Sequence, residues 1–262
     1  MSREKENDST NEPLIEMRGV AIPSQAYPDQ AALQDVNWTV RRGEYWVIGG
    51  MHGSGKTDLI AAAAGIVMPL AGQYLMFGKE MPLAGLELLA HRLRMGLVFE
   101  RGQLLQNITL LENITLPLRY HRPETDPGEV TAMLEATELM NLADRLPESV
   151  SRSWQKRAGL ARALLMRPDI LLVDNPLNGL DPRHSRWWMR FLQETSVGHA
   201  LLSRKPMALV VTTEDLRPWR NFDAHFALVQ NARFLPLGRL GDISGHSQPL
   251  VGELLAESSS IH

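Results

Sequence analysis

Eight residues, Gly50-Met51-His52-Gly53-Ser54-Gly55-Lys56-Thr57, carry the spacing G-x-x-x-x-G-K-T between a short apolar run and an Ala-rich segment of helical pattern. Gly50, Gly53 and Gly55, with Ser54 among them, allow the backbone to turn its N–H groups inward around an anion without a Cβ in the way. The helix start beyond them favours negative charge. Lys56 would reach the outer phosphates of a nucleotide, and the Thr57 hydroxyl would ligate Mg²⁺. His52 reads as an incidental loop residue. The other half of such chemistry is a carboxylate ending a buried strand, and Ile170-Leu171-Leu172-Val173-Asp174 supplies one. Asp174 would orient the Mg²⁺ shell.

These residues need a frame. Tyr45–Ile48, Met95–Phe99, Ile170–Val173 and Ala208–Val211 are apolar runs without alternation, as strands buried on both faces are. Stretches of helical spacing separate them, for example Val130, Met133 and Leu134, or Ala158, Ala161, Leu164 and Leu165. The pattern predicts an α/β fold, a P-loop core in which a parallel sheet carries flanking helices. From about 101 to 160 no buried strand is evident, and His121-Arg122-Pro123 and Asp126-Pro127-Gly128 act as breakers, so a helical insertion is expected there. The expected organisation is a disordered tail over 1–12, a single domain over 13–240 and a C-terminal tail over 241–262.

Composition narrows the partners. With 44% hydrophobic and 22% charged residues, the 262-residue chain has the makings of a sizeable core. Lys+Arg 27 against Asp+Glu 30 gives a net charge of -3, which points to no nucleic-acid partner. The absence of cysteine excludes disulfides, thiolate metal sites and a thiol nucleophile, and suits a reducing compartment. The longest apolar run, from Leu59 to Gly72, contains Pro69 and is shorter than the ~20 residues of a membrane span. The charged amino terminus lacks the apolar stretch of a signal peptide. The sequons at Asn37, Asn107 and Asn113 then read as accidents of composition. Arg183 to Arg190, with Trp187 and Trp188, reads as an amphipathic helix with its tryptophans packed inward.

From about Leu14 to Leu240 the chain resembles the nucleotide-binding subunits of ABC transporters. Besides the loop at 50–57 and Asp174, Gly179-Leu180-Asp181-Pro182 looks like that family's D-loop. Ser151 followed by Gln155-Lys156-Arg157-Ala158-Gly159-Leu160-Ala161-Arg162-Ala163-Leu164 resembles its signature helix. Tyr27-Pro28 stands where the family places an adenine-stacking aromatic. The resemblance implies Mg²⁺ and ATP as ligands, a clamp of two nucleotide-binding subunits, identical or different, and transmembrane permease subunits as partners. It also implies a peripheral position on the cytoplasmic face of the membrane.

Four departures fall where the family does its chemistry. The family's L-S-G-G-Q reads Val150-Ser151-Arg152-Ser153-Trp154, so Arg152 and Ser153 add Cβ atoms where glycine amides face the partner's γ-phosphate. Asn175 follows Asp174 where a glutamate base is expected, and an amide cannot take a proton from water. Thr213 takes the place of the switch histidine. Glu100 replaces the glutamine that ligates Mg²⁺, a role a carboxylate can keep. Together they imply a subunit that binds nucleotide but hydrolyses it poorly; the alternative is an active ATPase with variant residues. A P-loop kinase would have no use for the D-loop. Residues 92–104 and 113–121 also look like the corresponding segments of MCE-associated, Mla-type lipid-trafficking ATPases, which suggests a lipid as cargo.

Overall fold

A computed structural model describes residues 13–81, 84–198, 207–243 and 251–252. The expected tail over 1–12 and most of the one over 241–262 lie outside these residues. The chain divides into two compact units, one built from residues up to 82 and from 210 onward, the other from 83–209.

In the first unit β1 (Pro13–Pro23), β2 (Ala31–Arg41), β4 (Ala71–Met76) and β5 (Lys79–Glu80) form an antiparallel sheet in the order β2-β1-β4-β5. Met17 pairs with both Trp38 and Tyr74. Val36, Trp38 and Val40 alternate into the core, the period of a strand with one buried face. A second group of strands has two members buried on both faces and a half-exposed outer one. Here β3 (Tyr45–Gly49) runs parallel to β9 (His225–Gln230), and β9 pairs antiparallel with β10 (Arg233–Arg239). Trp38 meets Trp46 edge-on at 6.0 Å and Phe234 at 5.5 Å, which ties β2 to this group. The helix α1 (Lys56–Ala63) leaves the loop that follows β3.

In the second unit β6 (Met95–Val98) runs parallel to β7 (Ile170–Val173), with Val98 opposite Val173. The short helix α2 (Gly85–Arg92) precedes them. Between them lie α3 (Leu110–His121), α4 (Pro127–Ala136) and α5 (Arg152–Leu165), with no strand among them. Local chemistry sets their limits. Thr109 and Glu112 form a reciprocal capping box on α3. Asp126 caps α4, whose first residue is Pro127. Asn113 is fully buried, and its side chain bonds the backbone of Leu105, Ile108 and Thr109, so this sequon is a structural residue. Leu104 and Leu110 are consumed by the core, whereas Leu105 is 49% exposed. Beyond β7, α6 (Pro182–Ser196) buries Trp187 and Trp188 as its amphipathic pattern requires. The strand β8 (Ala208–Thr213) carries the chain back to the first unit, where a four-residue helix (Leu240–Ile243) follows β10.

Candidate nucleotide site

The phosphate loop belongs to the first unit, and its glycines are required by geometry. A Cβ on Gly50 would lie 2.6 Å from Ser54 Oγ and 2.7 Å from the Val229 carbonyl oxygen. Gly55 sits at φ +103°, and its Cβ would crowd Leu33 at 3.1 Å. Lys56 is buried, with Nζ donating to the carbonyls of Gly50 (2.7 Å) and Met51 (2.8 Å). The ammonium is therefore folded over the loop it would serve. Ser54 Oγ is cut off from solvent and has no hydrogen-bond partner among the described residues. An orphaned hydroxyl, a cradle that a Cβ would fill and a lysine over it fit a phosphate chain. Thr57 is exposed in the first turn of α1.

Tyr27 is 66% exposed in a turn closed by a bond from Ser24 N–H to Gln30 C=O. That turn is hooked to α1, because Gln25 N–H donates to Asp58 Oδ1 at 2.8 Å. The aromatic ring is thus free to stack, on a turn fastened to the helix that begins at the phosphate loop.

Thr213 ends β8, and its carbonyl accepts from Gly50 N–H at 3.2 Å. Its hydroxyl donates to the Asp215 carbonyl (2.9 Å) and accepts from Asp215 N–H (3.1 Å). The side chain is buried and committed to its own turn. The next residue, Glu214, reaches His52 of the loop, Oε1 to Nδ1 at 3.3 Å.

The second unit gathers the other positions. Asp174 is 3% exposed at the end of β7, and its N–H donates to the Val98 carbonyl. Asn175 beside it is 6% exposed and left-handed at φ +45°, a conformation that asparagine tolerates better than most residues. Lys156 closes this turn from α5, with Nζ donating to the carbonyls of Asn178 (2.7 Å), Pro176 (3.3 Å) and Asn175 (3.4 Å). Burial lowers the Lys156 pKa from its ordinary value, and the nearby charges of Glu100 and Asp174 oppose that shift. Glu100 Oε1 accepts from Asn178 Nδ2 at 2.8 Å. Glu100, Asp174 and the Asn175 turn are thus gathered around the Lys156 ammonium.

Ser151 stands at the N-cap of α5 without a side-chain cap, and Arg152 is exposed in the first turn. Ser153 is half-buried. Asp181 is the N-cap of α6, with Oδ1 accepting from the N–H groups of Arg183 (2.8 Å) and His184 (3.0 Å). Its Oδ2 lies 2.7 Å from His184 Nδ1.

Sequence reasoning quoted Trp154 and Arg157 within the signature segment but gave neither a role of its own. The Arg157 guanidinium is fully buried, 3.9 Å from the Trp187 ring centre and 4.5 Å from that of Trp154. It donates to Glu138 Oε2 at 2.7 Å and to the Thr137 carbonyl, while Nε and Nη2 have no hydrogen-bond partner among the described residues. The signal was the Trp-x-x-Arg spacing, which puts both side chains on one helix face. Glu138→Ala would strand a buried charge and should cost about 3 kcal/mol, the low end for such pairs because Glu138 is partly exposed. Arg157→Met removes the charge with its unmet donors and should cost less. Urea unfolding of both variants checks the order, and a larger loss in Arg157→Met would show that the ring contacts outweigh the ion pair.

The family model described as ABC transporter matches residues 33–178, more than half of the chain. The chain belongs to the ABC transporter family. This ABC transporter chain is 30% identical over 216 residues to the methionine import ATP-binding protein MetN of Carboxydothermus hydrogenoformans, covering 81% of this chain and 62% of that protein. It is 34% identical over 176 residues to the intermembrane phospholipid transport system ATP-binding protein MlaF of Haemophilus influenzae, covering 66% of each. It spans about two thirds or less of these relatives' lengths. The dimeric, post-hydrolysis ATP-binding cassette MJ0796 bound to ADP and Pi superposes with a TM-score of 0.76 at 25% identity, over 86% of this chain and 98% of that one. The expected α/β P-loop fold with flanking helices is therefore the fold of this family member.

Proposed function

We propose that this chain is the ATP-binding subunit of an ABC transporter that holds Mg²⁺ and ATP but turns ATP over slowly. Gly50, Gly53, Ser54, Gly55, Lys56 and Thr57 hold the phosphates, and Tyr27 stacks on the adenine. Thr57, Asp174 and Glu100 would hold Mg²⁺, which would neutralise charge on the outer phosphates. Ser151, Arg152, Ser153 and Asp181 face the site of a second nucleotide-binding subunit. The observation that carries the reading is Asn175, a buried amide at the family's position for the base that activates water. A lipid is the proposed cargo, supported by residues 92–104 and 113–121 and by the relative named for phospholipid transport.

Among the described residues no helix is long and apolar enough to cross a membrane. From its family the chain is proposed to sit at the cytoplasmic face through permease subunits, in a dimer of like or unlike subunits, and from its net charge of -3 to act without nucleic acid. Affinity purification from native membranes should bring down a transmembrane partner and, in an asymmetric complex, a second cassette with an intact base. Resistance of the chain, expressed alone, to carbonate extraction from membranes would contradict this placement.

A further inference from the structure

We propose that His52 contacts the terminal phosphate of bound ATP and is positioned for it by Glu214. The pair would then distinguish ATP from ADP in place of the residue at 213. The proposal rests on the reading of residues 50–57 as the phosphate loop.

Position 213 itself is poorly placed for such a contact. The Thr213 hydroxyl is buried and makes two bonds to the Asp215 backbone, so turning it outward would leave both groups unmet. The Thr213 carbonyl meanwhile holds Gly50 N–H, which docks the end of β8 on the first residue of the loop. The next side chain, Glu214, crosses back to His52. His52 stands between Gly50 and Gly53, on the loop whose backbone forms the anion cradle.

Folding has little use for the pair. The His52 side chain is 94% exposed and that of Glu214 39%, and exposed ion pairs contribute ~0–1 kcal/mol. A carboxylate at Nδ1 favours one orientation of the imidazole and leaves Nε2 for another partner. In its doubly protonated form the ring offers one donor to Glu214 and one to a phosphate oxygen. It has a reach that a threonine hydroxyl lacks. His52 touches phosphate in this arrangement, and Glu214 acts only through His52.

Titration calorimetry of the full chain with Mg²⁺ and either ADP or adenylyl imidodiphosphate, a triphosphate that is not hydrolysed, tests the pair. His52→Ala should weaken the triphosphate about tenfold, as loss of a charge-assisted hydrogen bond does, and leave ADP within about twofold. Glu214→Gln should give a smaller loss confined to the triphosphate. Thermal melts of both variants should match the parent, since neither side chain is buried. Equal weakening of the two nucleotides by His52→Ala would overturn the proposal, because His52 would then only shape the loop. Unchanged binding of both nucleotides in His52→Ala would also overturn it, while Lys56→Ala, run in parallel, still loses both and the phosphate loop stands. If Lys56→Ala keeps both as well, the reading of the loop fails and the proposal falls with it.

Discussion

Lys56→Ala is expected to lower the affinity for Mg²⁺ and ATP about a hundredfold or more. The loop from Gly50 to Thr57 contains no other lysine or arginine, and apart from the His52 imidazole its remaining phosphate ligands are neutral amides and hydroxyls. The Lys56 ammonium lies over the cradle, held by the carbonyls of Gly50 and Met51. Hydrogen bonds to charged groups are worth ~1.5–3 kcal/mol each, so the loss of two such contacts amounts to a factor of about 10² or more. Truncation also leaves the two carbonyls without their donor, so the variant should be checked for an intact fold by circular dichroism before titration. Unchanged binding in a folded Lys56→Ala protein would remove the phosphate site from the account.

Asn175→Glu should raise ATP turnover, by less than the ~10²–10⁴-fold that a positioned general base can supply. The amide of Asn175 is neutral at pH 7 and can hold a water without accepting its proton. Three features limit the gain. The backbone at 175 is left-handed, a conformation that disfavours residues other than glycine, asparagine and aspartate by roughly 1–2 kcal/mol, so glutamate would press the turn to relax. The Thr213 hydroxyl stays committed to Asp215. Arg152 and Ser153, proposed to stand where the family has its signature glycines, are also unchanged in this variant. Affinity should change much less than rate, because the missing terms belong to the transition state. Phosphate release by the purified protein and by its complex measures the effect, and a rate no higher in Asn175→Glu would place the limitation elsewhere.

The parts of the fold legible in the sequence are those where one physical rule acts alone. The runs at 45–48, 170–173 and 208–211 lie on strands because burial on both faces leaves no alternation to misread, whereas the strand at 95–98 departs from that expectation by alternating half-buried and buried residues. Breakers at 121–123 and 126–128 mark the end of α3 and the start of α4, where Asp126 and Pro127 provide cap and first residue. The antiparallel sheet of β1, β2, β4 and β5 was not foreseen. Register shifts at several points of the β1–β2 ladder break the period of two, and Gly19 is left-handed within β1. At the site, the loop glycines were legible because their spacing encodes backbone geometry. Long-range side-chain partners were not, since nothing local couples Glu214 to His52 or Arg157 to Glu138 and Trp187.

Single-turnover hydrolysis by the wild-type protein, with ATP binding measured on the same preparation, tests most directly whether this chain binds ATP and lacks the means to hydrolyse it quickly. Saturable Mg²⁺-dependent ATP binding, with the bound nucleotide persisting far longer than the ~0.1 s turnover of an ordinary enzyme, is the predicted result. The contradicting result is hydrolysis at about 10 s⁻¹ in this chain's own site, unchanged by Asn175→Ala, because another residue would then supply the base.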